Sequence, residues 1–126
     1  MLKDLKNNLK VVPSILPVAA TGDQTGSVVA LAGYESCVVT LTATTASVDG
    51  TFKLTECATS GGAYTDVAAA DIIGTQDVSV VEDGTVSLGY IGNLGFIKAV
   101  FTHVADGVVS ADAVLGCPHV SPTGAN

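Results

Sequence analysis

The sequence predicts an all-β fold: an antiparallel β-sandwich of about seven or eight strands with an extended N-terminal arm. Three observations predict it. Apolar and polar residues alternate with period two, clearest where Cys37, Val39, Leu41 and Ala43 interleave with Val38, Thr40, Thr42 and Thr44. Turn chemistry recurs at spacings near ten residues, as Asp-Gly at 49–50 and 83–84 and Ser-Gly-Gly at 60–62. The composition, rich in Val, Thr, Ala and Gly and without Trp, favours short strands and tight turns over helices. At 126 residues the chain closes a single apolar core. Its expected division is an arm over 1–20, a sandwich over 21–117 and a tail over 118–126.

Within the arm, Leu2, Leu5 and Leu9 recur at helical spacing with Lys3, Lys6 and Lys10 between them, but ten residues are too few for a stable isolated helix. Pro13 and Pro17 then bias Val11 to Pro17 toward extended backbone, at a sheet edge or across a neighbour. These features make Leu2, Lys3, Leu5, Lys6, Leu9, Lys10, Val12 and Ile15 the candidate partner-binding residues. Removing residues 1–17 is accordingly expected to leave the β body intact.

After the turn-rich run TGDQTG come the alternating strand over 37–44 and an Asp-Gly turn that pairs it with the next strand, where Phe52 and Leu54 face opposite to Lys53 and Thr55. Gly61 and Gly62 are expected to reverse the chain with positive φ, making FKLTECATSGGAYTDV a hairpin. VAAADIIG has room for no more than two helical turns before Gly74. The Asp83–Gly84 turn predicts a second hairpin, joining Val78 and Val80 to Val86, Leu88 and Tyr90. Ile97, Ala99 and Phe101 share one face of the following strand. Val109, Ala111, Ala113 and Leu115 point inward from the last one.

Charge narrows the function classes. Residues 1–10 carry three of the five lysines against one acid, so the remainder holds two lysines against eleven acids, with no Arg. An acidic body without Arg clusters is unsuited to neutralising phosphates, which argues against nucleic-acid binding. No apolar run reaches the ~18 residues that a membrane-spanning helix needs, and the prolines break the signal-like start. Cys37, Cys57 and Cys117 lack CxxC spacing and nearby histidines, so they read as free, buried cysteines, with one disulfide as the alternative, and no metal or other cofactor is expected. His103 reads as a structural strand residue, and His119, two residues after Cys117, forms too common a pattern to name a catalytic pair. Asp66, Asp71, Asp77, Glu82 and Asp83 lack the spacing of a calcium loop. Tyr34, Tyr64 and Tyr90 are the available stacking platforms for a sugar. No enzyme motif stands out.

LKNNLKVVPSI, AGYESCVVTLTAT, DGTFKLTECATSGGAYTDVAAADIIG and GYIGNLGFIKAVFTH together resemble small tailed-bacteriophage virion proteins encoded near head genes. The sequence departs from the family's G-Y-x-G-x-x-R-Y-x-R strand start, with Gly95 and Lys98 in place of the arginines. The resemblance implies a non-enzymatic capsid decoration or cement protein. Its partner would be the major capsid protein and its location the virion, assembled in the host cytoplasm. It would also associate with itself, with a trimer as one order to test. The alternatives are a head-to-tail connector or tail protein, and a module binding host carbohydrate through its tyrosines.

Overall fold

The computed structural model describes residues 5–44, 49–80 and 83–118. Two antiparallel sheets pack face to face, as the sequence predicts, but they contain eleven strands. Six are long: β1 (Lys10–Ala20), β4 (Tyr34–Thr44), β5 (Asp49–Cys57), β9 (Gly84–Tyr90), β10 (Phe96–Ala105) and β11 (Gly107–Pro118). The others are two-residue segments: β2 (Gln24–Thr25), β3 (Val29–Ala30), β6 (Thr65–Asp66), β7 (Ile72–Ile73) and β8 (Val78–Ser79). Sheet I runs β1-β11-β4-β9-β7. Sheet II runs β2-β10-β5-β6, with β3 also on β10 and β8 also on β5.

From β4 onward, each long strand lies in the opposite sheet from the long strand before it. Both Asp-Gly turns therefore do something other than close a hairpin. β4 and β5 do not pair with each other: Asp49 and Gly50 are the first residues of β5, and residues 45–48 before them lie outside the described residues. β8 pairs with β5, whereas β9 pairs with β4 and β7, so Asp83 (φ +49°) begins a return from sheet II to sheet I. The ADG corner likewise carries the chain from β10 in sheet II to β11 in sheet I. Turn residues specify a reversal, but burial decides which sheet receives the returning strand.

The expected hairpin over 52–67 is present in short form, Thr55 facing Asp66 and Glu56 facing Thr65. Its tip does not use positive φ at Gly61 or Gly62; the glycines with positive φ are Gly33, Gly50 and Gly74. VAAADIIG forms one 3-10 turn at Ala69–Asp71, within the limit set by Gly74.

The core follows the alternation closely. Val39, Leu41, Ala43, Phe52, Leu54, Leu88, Ile97, Ala99, Phe101, Val109, Ala111, Ala113 and Leu115 are all buried between the sheets. Each large side chain among them contributes roughly 1.5–3 kcal/mol by leaving water.

Residues 10–20 are not a free arm. They form the edge strand β1, paired along β11 from Lys10↔Leu115 to Ala20↔Gly107 with irregularities after Pro13 and Ile15. Both prolines fit an edge, where a missing N–H costs no ladder bond. β1 also seals the sandwich through Ser14, which is buried. The Ser14 hydroxyl donates to the Ser27 carbonyl (2.9 Å) and accepts from the Ala99 amide (3.2 Å), joining the two sheets. Gly26 lies so close that a Cβ there would collide with Ser14 Oγ and crowd the Ala99 carbonyl at 3.0 Å. Deleting residues 1–17 would therefore remove part of the core, contrary to the expectation that it spares the β body.

Candidate interaction surfaces

Among the described members of the predicted partner-binding set, Leu5 is 56% exposed and Lys6 is exposed. The Leu9 amide closes a helical turn onto the Leu5 carbonyl at 3.0 Å. Leu9 and Lys10 are half-buried, Val12 packs against the core and Ile15 is within it. Val12 and Ile15 are thus occupied in holding β1 to the sandwich. Leu2 and Lys3 lie outside the described residues, as does His119.

The outer face of sheet I is a second surface, missed when the sequence was read for motifs. Because the alternate positions face the core, Val38, Thr40, Thr42 and Thr44 of β4 point outward beside Val108, Ser110, Asp112 and Val114 of β11. β9 adds Thr85 and Ser87. Threonines tie the strands together: Thr42 and Thr85 share a hydroxyl bond of 3.0 Å, and Thr44 donates to Asp83 at 3.0 Å. Val11, opposite Val114, and Ile73, opposite Gly89, add exposed apolar groups at 60% and 63%. Asp112 and, at the end of β4, Asp83 are the charged residues among the positions named on this face. At its corner Leu9, Val38, Val114 and Gly116 surround a hollow of about 200 Å³.

Sheet II differs. Its outer face carries Lys53, paired with Asp66 at 3.0 Å, and Lys98, whose ammonium lies 4.3 Å from the Tyr64 ring centre. The hairpin loop is closed here by Tyr64 donating to the Ser60 carbonyl, and Gly62 approaches the Sγ of the buried Cys57. Tyr64 is consequently engaged with Lys98.

A cleft of about 500 Å³ opens at one end of the sandwich, between the β3–β4 turn and the β9–β10 loop. The Leu31 amide donates to the Gly95 carbonyl, tying the rims together. Cys37, Tyr90 and Phe96 line it. Burial pushes the Cys37 thiol up to about 11, so it is neutral near pH 7 and a poor nucleophile. Burial also raises the Tyr90 hydroxyl, with the Glu56 charge adding to the effect. Elsewhere, His103 Nε2 lies 2.6 Å from Asp106, and the His103 amide donates to Asp23 at 2.7 Å. Among the described residues no three His, Cys, Asp or Glu side chains gather as a metal site; all three cysteines are free, but only Cys57 is fully buried, Cys37 being half-buried and Cys117 exposed, contrary to expectation.

A scan against protein-family models finds no match to this chain, and neither the curated proteins nor the solved structures contain a significant relative.

Proposed function

We propose that this protein is a structural virion component of a tailed phage, a decoration protein that holds to the outside of the head by protein–protein contact. The sequence likeness supplies the phage assignment. The observation that carries the contact role is the outer face of sheet I, rich in Thr and Val and poor in charge. Apolar, charge-poor surface of this kind characterises the centres of protein interfaces. Four strand spacings by about seven residues give the face on the order of 500 Å². That falls somewhat short of the ~800 Å² per partner in a standard interface, and Leu5 and Lys6 stand ready to extend it.

The test is co-sedimentation with phage heads lacking the protein. A Val38→Lys/Thr42→Lys variant places two ammonium groups on the face while leaving the core unchanged. Binding is expected to fall about tenfold or more, since each buried lysine must lose water without a partner, with the melting temperature within a degree or two of the parent. Undiminished binding by a normally folded variant would refute the proposed contact face.

A further inference from the structure

The geometry points to the end cleft as a binding site for a small organic cation, an alkylammonium group with an apolar stem. Its size lies within the range of small-molecule sites, about 300–1,000 Å³. Tyr34, Tyr90 and Phe96 supply aromatic walls, Glu35 contributes a carboxylate, and no Lys, Arg or His is present in the lining. Aromatic faces attract cations through their quadrupoles.

The decisive group stands behind the lining, in reach of the Tyr90 hydroxyl. Phe52, Leu54 and Glu56 alternate on the same face of β5, so Glu56 follows two core residues inward and is only 8% exposed. A buried carboxylate is costly unless its oxygens find donors or an opposite charge. Among the described residues its hydrogen bond comes from the Tyr90 hydroxyl, at a long 3.4 Å. That hydroxyl is also engaged by the β9–β10 loop, accepting from the Leu94 amide at 3.1 Å. The described ion pairs, Lys53–Asp66 and His103–Asp106, do not involve Glu56. The fold therefore keeps a carboxyl group short of donors among the described residues, against the Tyr90 hydroxyl of an aromatic-walled opening. With no third ligating side chain assembled nearby, the oxygen set suits an ammonium group better than a metal ion. The neutral Cys37 thiol is consistent with non-covalent binding.

Amide NMR titration of the full chain tests the assignment, with n-butylammonium, n-butanol and butyrate as probes. Butylammonium is expected to shift amides in 31–37 and 90–96 and to bind about tenfold or more tightly than butanol, the margin of one charge-assisted contact. Glu56→Gln should erase that preference and raise the melting temperature, because it replaces a buried carboxyl group short of donors with an amide of the same shape. Tyr90→Phe, which takes away the competing hydroxyl, should bind butylammonium at least as tightly as the parent. Nα-acetyl-lysine methylamide identifies the source: tighter binding than butylammonium indicates a lysine side chain of a partner protein, weaker binding a free amine. Equal binding of butanol and butylammonium, or an ammonium preference that survives Glu56→Gln, would overturn the assignment.

Discussion

Cys37 and Glu56 show what alternation can and cannot reveal about a residue. The period-two pattern correctly turns Cys37 inward with Val39 and Leu41, and the same rule applied to Phe52 and Leu54 places Glu56 inward as well. Sequence reading followed that face only as far as the apolar residues, so the buried carboxylate went unassigned. The Cys37 thiol allows a pH test. Its folded pKa is raised from 9.0 to about 11, so between those values the native state holds a proton that the unfolded chain releases. Stability is therefore full below pH 9 and falls as pH rises toward 11. Denaturant titrations across this window should show a decline that becomes shallower in Cys37→Ala, with Tyr90, raised in the same direction, responsible for part of what remains. Superimposable pH profiles would contradict a desolvated thiol.

At the scale of elements, strands were easier to recognise than their partners. Alternation locates β4, β5, β10 and β11, because each buries one face. Pairing is not local: Asp-Gly serves a sandwich corner as well as a hairpin, and the choice depends on cores built from distant residues. β1 reads as an arm in the sequence because two prolines and irregular register disguise its period. Gln76 gave no signal at all. Its side-chain amide occupies the gap between β6 and β8, accepting from the Leu54 amide at 2.9 Å and donating to the Leu54 carbonyl at 2.9 Å and the Val67 carbonyl at 3.0 Å. It thus substitutes for a missing strand along β5. Gln76→Ala should cost about 2–3 kcal/mol in urea denaturation, since at least one buried backbone group loses its partner. A loss below about 0.5 kcal/mol would show that water replaces the amide without penalty.

For the molecule as a whole, the boundary between arm and body falls near Lys10. Removing residues 2–9 should leave cooperative melting intact, whereas removing 2–17 takes Ser14 and Ile15 from the core and exposes the edge of β11. Such losses, about 2–5 kcal/mol for one buried Ile alone, are comparable with the total stability of many domains. Circular dichroism melting of the two truncations distinguishes these outcomes; equal cooperativity in both would refute an integral β1. The cleft, unlike the boundary, was beyond sequence reading, because its walls come from 31–37 and 90–96 and only folding brings them together.

β11 has a further consequence, for synthesis. It stands between β1 and β4, the first and second long strands of the chain, and pairs with both. Until residue 118 leaves the ribosome, the amino-terminal strand has no ladder to join and sheet I lacks its middle. A growing chain must therefore keep its early strands waiting, with apolar surface uncovered, and acquire its native form in one late step.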